Sequence, residues 1–335
     1  MKAAVLHGPR DLRIETGRTL APRAAEVLVR VRMAGLCGTD YAIWTGDRPV
    51  AYPRVLGHEF VGRVEAVGDG VGRVRVGDRV VIEPNYSCGS CPLCREGNRN
   101  LCLARTAVGI DVDGCFAETV RVPERCCWPA PPGVADDDLL MTEPLAVVVR
   151  AVGRAAVQPG GNAAVVGGGA LGLLALQVLR GAGARVLVVS RSARRFPLAR
   201  ELGAAATHAV ADGGLEQAAR AFSGREGVDV VIETAGSADA VSHALALVRP
   251  GGRVVLTGLP HEPTPVAFFS VVRREVSITG SMIYQDEFPE AMRLVAAGTV
   301  RTRPLVTHRF PLDALGEAFV AHRQPEAIKV AVLTA

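Results

Sequence analysis

From Met1 to about Val134, short apolar runs alternate with glycine, proline and aspartate: "EVLVRVRMAG", "FVGRVEAVG", "GDRVVIEP", "FAETVRVP". Brief alternating runs bounded by turn residues predict short strands, and therefore a β-rich barrel or sandwich. From about Val147 the pattern changes. "NAAVVGGGALGLLALQVLRGAGARVLVVS" reads as strand, glycine turn, helix and strand, and "VDVVIETAG", "SADAVSHALALVRPG" and "GRVVLTG" continue the alternation. Strands that alternate with helices predict an α/β unit with a parallel, doubly wound sheet. The last fifty or so residues, from "GSMIYQDEFPEAMRLVAAG", leave that rhythm. No internal repeat and no low-complexity linker interrupts the chain.

Length and composition fit this picture. At 335 residues the chain exceeds one comfortable core, which predicts two domains. Hydrophobic content of 49% with 21% charged residues belongs to a folded, soluble protein. The formal charge is +4 and aromatic residues make up 4%, with no basic stripe, so nucleic acid is not an expected partner. Lysine occurs only at Lys2 and Lys329 among many arginines, a skew that reads as genome composition. The segment Ala155 to Leu179 carries no charge, but Pro159, Asn162, Gln177 and its glycines argue against a membrane span. "MKAAVLHGPRDLRIE" has no apolar core of a secretion signal, so a cytoplasmic, reducing location without structural disulfides is expected.

The glycine run Gly167-Gly168-Gly169-Ala170-Leu171-Gly172 follows the strand "AAVV" and opens a helix. In that context Gly167 permits a tight turn, Gly169 lets backbone amides approach a pyrophosphate, and Gly172 allows helix and strand to pack closely. A dinucleotide is the expected ligand, with Ala170, Leu171 and the strand-end Thr257 among its contacts. At the end of the next strand, where an NAD enzyme usually carries a carboxylate, stand Ser190 and Arg191, followed by Arg194 and Arg195. A hydroxyl beside guanidinium groups suits a 2′-phosphate and favours NADP over NAD. The same residues also suit a solvated basic turn. Pro197 should delay or kink the following helix.

Half of the eight cysteines fall in "CGSCPLCREGNRNLC". Cys88, Cys91, Cys94 and Cys102 have the spacing of a four-thiolate structural zinc site, with an iron–sulfur cluster the second possibility. The stretch has almost no apolar packing of its own, because a metal would replace the core there. A more dispersed set is Cys37 in "GLCGTD", His58 and Glu59 in "LGHEF", and Glu143 in "MTEPLAV". Taken singly, these also suit a small buried residue, a turn histidine and surface acids. Cys115, Cys126 and Cys127 lack ligand spacing and are expected to pack.

"GHEFVGRVEAVGDGV", "GDRVV", the four-cysteine lobe and "VVGGGALG" occur in that order, and the whole chain resembles the zinc-dependent medium-chain alcohol dehydrogenases. "EPLAV" is similar to the polyol branch, which includes sorbitol dehydrogenases, and to threonine dehydrogenases. The resemblance implies a GroES-like β-barrel catalytic domain over 1–145 with a zinc lobe at 86–104, a Rossmann dinucleotide-binding domain over 146–280, and a return to the catalytic domain over 281–335. It implies one catalytic and one structural zinc per chain. Cys37, His58 and a carboxylate would hold the catalytic ion, with Glu59 and Glu143 both near it, and substrate and nicotinamide would meet in the cleft between the domains. The expected reaction passes hydride between a secondary hydroxyl of a polyol, sugar or (amino)cyclitol and NAD(P). Such a zinc would lower the proton affinity of the alcohol oxygen. Thr39 is where the family keeps the hydroxyl that takes the alcohol proton. Ala42 stands where many members carry a relay histidine, so the proton is expected to leave through Thr39, a cofactor ribose hydroxyl and water. A threonine-like amino alcohol or simple secondary alcohol remains the second substrate class. A non-catalytic NADPH sensor or a quinone reductase is a different class of reading. Family habit suggests a homo-oligomer, a dimer or tetramer.

Overall fold

The structure, a computed structural model, describes residues 1–259 and 263–334. The chain divides into two compact units, Met1–Glu143 with Thr302–Ala335, and Pro144–Arg301. The sequence placed the return to the first unit at 281; residues 281–301 instead belong to the second.

In chain order the first unit contributes β1 (Ala3–Gly8), β2 (Asp11–Glu15), β3 (Glu26–Leu36), α1 (Gly38–Thr45), β4 (Arg54–Val55) and β5 (Glu59–Val67). There follow β6 (Arg79–Ile82), β7 (Asn85–Tyr86), α2 (Pro92–Arg95), β8 (Thr106–Ala107), β9 (Thr119–Pro123), β10 (Cys127–Pro129) and α3 (Asp136–Leu139). Along β3, Val29, Val31 and Met33 are buried while Arg30 and Arg32 between them are exposed, the two-residue period of a strand with one wet face. Beyond Met33 every residue to Leu36 is buried, so β3 passes from the rim of the sheet into its interior.

The chain enters the second unit along α4 (Thr142–Ala155). Strands β11 (Asn162–Val166), β12 (Arg185–Ser190), β13 (Ala206–Ala209), β14 (Val228–Glu233), β15 (Val248–Leu256) and β16 (Ser277–Gly280) lie in the order β13-β12-β11-β14-β15-β16. All five pairings are parallel. This is the doubly wound arrangement, and its order reverses beside β11. Every residue of β11 is buried, as expected of a strand covered on both faces. Its helices are α5 (Ala170–Gly181), α6 (Phe196–Glu201), α7 (Leu215–Ser223), α8 (Ala238–Leu247), α9 (Phe268–Arg273) and α10 (Phe288–Ala296). Pro197 sits in the first turn of α6, where its missing N–H costs no hydrogen bond, and a 3-10 turn precedes it. Ala155–Leu179 is split among the end of α4, β11 and α5. No helix among the described residues is long and apolar enough to cross a membrane.

The tail returns as β17 (Val306–Pro311), α11 (Leu315–His322) and β18 (Lys329–Leu333). It completes a seven-stranded sheet ordered β10-β6-β5-β3-β18-β17, with β9 also paired to β3. Strand β3 is therefore flanked by β5 and β18, both antiparallel to it.

Candidate active site and zinc lobe

Cys37 directly follows β3 as the N-cap of α1, in extended conformation. Three residues on, Asp40 is fully buried and accepts the Cys37 backbone N–H at 2.9 Å through one carboxylate oxygen. Its other oxygen accepts the Gly57 N–H at 3.1 Å and lies 3.3 Å from His58 Nδ1. That last approach is an ion-pair contact out of hydrogen-bond alignment, since Nδ1 has no hydrogen-bond partner. Asp40 thus ties the loop carrying Cys37 to the loop carrying His58. Burial pushes the carboxyl up, but the facing imidazole and two backbone N–H groups outweigh it and hold Asp40 below the usual range. Burial likewise pushes His58 down, while Asp40 and the Cys37 sulfur carry it well above the ordinary value.

Glu59, the first residue of β5, completes the set. Ligand atoms of Cys37, His58 and Glu59 all lie within 4.8 Å of one another. A thiolate, an imidazole and a carboxylate converging at this distance form a donor set suited to zinc. Asp40 behind the imidazole supplies the outer carboxylate that commonly orients a metal-bound histidine. Both Glu59 oxygens also face Lys329 Nζ, at 2.7 and 2.6 Å, with both residues buried. Glu143 is buried in the first turn of α4, and its charge bears on Lys329. Thr39 and Ala42 lie on α1, both half-buried.

The four lobe cysteines also converge within 4.8 Å. Cys88 and Cys102 sulfurs are 3.5 Å apart, and Cys91 and Cys102 sulfurs 3.9 Å apart. Four thiolates around one zinc at a bond length of ~2.3 Å would be separated by roughly 3.8 Å, so the cluster has the size of that ion's shell. The lobe is framed by the β7–β8 pair and the single turn α2, while Leu101 and Leu103 are exposed. It has little apolar interior to hold it. The backbone N–H groups of Ser90 and Cys91 aim at the Cys88 sulfur and bring that thiol down to about 6. Cys115, Cys126 and Cys127 are buried, and burial pushes all three thiols up.

In the second unit the glycine run links β11 to α5. Gly167 has φ +119°, and a Cβ there would meet Thr234 Oγ1 at 2.5 Å. A Cβ on Gly172 would lie 1.8 Å from the Gly167 carbonyl oxygen, so only glycine permits this turn. Gly169 is the N-cap of α5 and no side chain caps the helix, leaving the first-turn N–H groups of Ala170 and Leu171 for an anion. Arg195 Nη1 donates to the Gly168 carbonyl at 3.0 Å. Ser190 Oγ lies 3.0 Å from where a Cβ on Gly168 would stand. Arg191 and Arg194 are exposed. Thr257 donates from both its backbone N–H and Oγ1 to the Glu233 carbonyl, at 3.0 and 2.5 Å, joining the ends of β14 and β15.

The chain aligns with the Alcohol dehydrogenase GroES-like domain over residues 23–132 and with the Zinc-binding dehydrogenase family over residues 170–297. It is 33% identical to sorbitol dehydrogenase of Bacillus subtilis strain 168, over 99% of this chain and 97% of that protein. It is 33% identical to L-threonine 3-dehydrogenase of the same strain, over 92% and 91%. The chain belongs to the zinc-binding medium-chain alcohol dehydrogenase family. A zinc-binding dehydrogenase from Sinorhizobium meliloti 1021 bound to NADP superposes on this dehydrogenase with a TM-score of 0.94 at 34% identity, covering 99% of both chains. An alcohol dehydrogenase of Escherichia coli CFT073 complexed with NADH gives 0.93 at 32%, covering 100% of this chain and 99% of that one. The dehydrogenase is thus a zinc-dependent, NAD(P)-dependent enzyme acting on alcohols or polyols.

Sequence reasoning missed Asp40 and Lys329. Asp40 had a local signal, since an acid three residues after an N-cap commonly reaches back to it. Lys329 also had one: it is one of two lysines in the chain, and the one that is buried.

Proposed function

We propose that this dehydrogenase interconverts a secondary hydroxyl of a polyol, sugar or (amino)cyclitol and the corresponding ketone, with NADP preferred over NAD. The convergence of Cys37, His58 and Glu59 before the Asp40 carboxylate carries the catalytic part of the reading. Cys37, His58 and a carboxylate from Glu59 or Glu143 would hold the catalytic zinc; Cys88, Cys91, Cys94 and Cys102 would hold the structural one. Zinc there supplies a Lewis acid that lowers the proton affinity of an alcohol oxygen. Around it the chain's own residues bind and orient. Asp40 faces and orients the imidazole, the buried Glu59–Lys329 pair keeps water from that side of the set, and Thr39 accepts the alcohol proton at its Oγ1. Ala42, one turn along α1, offers no group to relay that proton, so it passes onward to water.

Ser190 and Arg195, on either side of the Gly168 backbone, support the NADP preference. A guanidinium half withdrawn from solvent can make charge-assisted bonds to a 2′-phosphate, and no carboxylate stands at the end of β12 to repel it. Replacing Ser190 by Asp together with Arg195 by Leu is expected to shift the NADP/NAD ratio of kcat/KM toward NAD by about ten- to a hundredfold. A double variant as selective as the wild type would remove this reading. A panel of polyols, cyclitols, aminosugars, threonine and simple secondary alcohols, followed by nicotinamide absorbance with both cofactors, tests the substrate class. Turnover of threonine alone would favour the amino-alcohol reading, to which the threonine dehydrogenase relative lends support.

We further propose a cytoplasmic homo-oligomer, a dimer or tetramer. The exposed Phe268, Phe269 and Val272 of α9 support self-association.

A further inference from the structure

Strand β14 ends in Glu233, which stands opposite Val166 of β11 on one side and Leu256 of β15 on the other. Its side chain is fully buried although it carries a carboxyl group. That group serves its own turn: Oε1 accepts the N–H groups of Ala235 at 2.6 Å and Gly236 at 2.8 Å. Two successive N–H groups aimed at one oxygen curl the chain back, and Gly236 follows with φ +67°. The Glu233 carbonyl accepts from Thr257 Oγ1 and from the N–H groups of Thr257 and Gly258, at 2.5, 3.0 and 3.4 Å. The turns after β14 and β15 therefore meet backbone to backbone. A Cβ on Gly258 would lie 2.2 Å from the Gly236 nitrogen and 2.7 Å from Glu233 Oε2, so no side chain fits between them. Among the described residues Oε2 makes no hydrogen bond. Burial raises the pKa of the carboxyl, and the N–H groups of Gly236, Ala235 and Gly258 oppose it. A buried acid with one idle oxygen destabilises the fold, a departure from good packing that marks functional positions.

The turn also touches the glycine run. Thr234 donates from its N–H and its Oγ1 to the Val166 carbonyl, at 2.9 and 3.0 Å, and that Oγ1 lies 2.5 Å from where a Cβ on Gly167 would stand. The segment that Glu233 folds is thus the wall of the glycine turn on the β14 side, while Ser190 ends β12 on the opposite side of β11. A dinucleotide with its pyrophosphate at the start of α5 and its adenosine toward Ser190 must run its nicotinamide half the other way, over the ends of β14 and β15. We propose that Glu233 is a positioning residue for the nicotinamide half of the cofactor, its Oε1 setting the 234–236 turn and, through it, the Thr257–Gly258 turn on which that half rests. This rests on the dinucleotide reading of the glycine run given above. The carboxyl group is sealed beneath the two turns and acts through them.

The test is calorimetric titration of the zinc holoenzyme with NADPH and with 2′-phospho-ADP-ribose, which keeps the adenosine and pyrophosphate but lacks the nicotinamide. NADH with ADP-ribose is the equivalent pair if NAD is the tighter cofactor. A wild type that binds neither NADPH nor NADH would end the dinucleotide reading before Glu233 comes into question. In Glu233→Ala the dissociation constant of NADPH should rise by about tenfold or more, while that of 2′-phospho-ADP-ribose stays within about twofold. Equal losses for both ligands, as a loosened domain would give, or no loss for either, would overturn the proposal. Two further variants do not need the alanine variant to fold. Glu233→Gln keeps an acceptor oxygen for Ala235 and Gly236 and should hold NADPH within about threefold of the wild type. A loss of about tenfold there would show that the charge matters rather than the turn, and would overturn the assignment. Gly258→Ala leaves Glu233 in place but wedges the two turns apart, and should weaken NADPH while sparing 2′-phospho-ADP-ribose; unchanged NADPH affinity would count against the proposal just as directly.

Discussion

His322 closes α11 with its ring half-buried and 5.9 Å from that of Tyr41. Burial is the first cause that lowers its pKa; the charges of Lys329 and Arg323 add to it, Asp40 opposes, and the result is about 4. In the unfolded chain the ring titrates near ~6.5, so below that pH the unfolded state binds a proton that the native state refuses. The contribution is complete above ~6.5 and is lost as pH falls toward about 4. Its ceiling is about 3 kcal/mol, reduced by solvent screening of a ring that is partly exposed. His322→Phe should therefore lose less thermal stability than the wild type between those two pH values. Parallel melting-temperature profiles would show that the ring does not carry this acid sensitivity. Lys329 illustrates what a residue-scale reading of sequence can miss. Its rarity was visible, but its partner is 270 positions away, and no local spacing links a tail lysine to a glutamate in β5.

At the level of elements, the lobe between β7 and β8 depends on its thiols. Removal of one ligand by Cys94→Ser is expected to release the structural zinc and open the segment between Tyr86 and Thr106 to protease, while far-ultraviolet circular dichroism of the sheets stays near that of the wild type. Full zinc content and unchanged proteolysis in this variant would contradict a metal-built lobe. The lobe and the glycine turn were legible in the sequence for the same reason: their parts lie within fifteen and six consecutive residues, so spacing alone places them. The Cys37–His58–Glu59 set was less so. Its members come from the end of β3 and the start of β5, and their convergence depends on Asp40 accepting from both Cys37 and Gly57. Residues 281–301 lie in the second unit, and the amphipathic pattern of α10 does not itself say which unit its apolar face packs on.

Across the whole molecule the chain passes between the units twice, at Glu143–Pro144 and at Arg301–Thr302. The second passage is pinned on each side. Within the second unit, buried Gln177 of α5 accepts the Arg301 N–H at 2.8 Å and donates to its carbonyl at 3.2 Å. Within the first, Thr302 Oγ1 donates to the Asp138 carbonyl at 2.7 Å, and Arg303 pairs with the Asp138 carboxylate. Gln177→Leu would leave both polar groups of Arg301 without their partner and should cost about 2 kcal/mol or more. Calorimetry should show a lowered melting temperature for Gln177→Leu and a smaller change for Thr302→Val. Equal stabilities of Gln177→Leu and the wild type would refute the role of this amide. Gln177, one of the polar residues in the uncharged stretch from Ala155 to Leu179, thus has a structural purpose.

The buried Glu59–Lys329 pair bears on how the central sheet finds its alignment: Glu59 stands opposite Gly35 of β3, where a Cβ would run into the Glu59 carboxylate. Were β3 to slip by one position against its neighbours, the methyl of Ala34 or the isobutyl group of Leu36 would occupy the space that the Glu59 carboxylate needs. The acid and the amine would then be buried apart from each other, a cost that the native pairing avoids. The pair therefore favours the strand registry in which Cys37, His58 and Glu59 also come together.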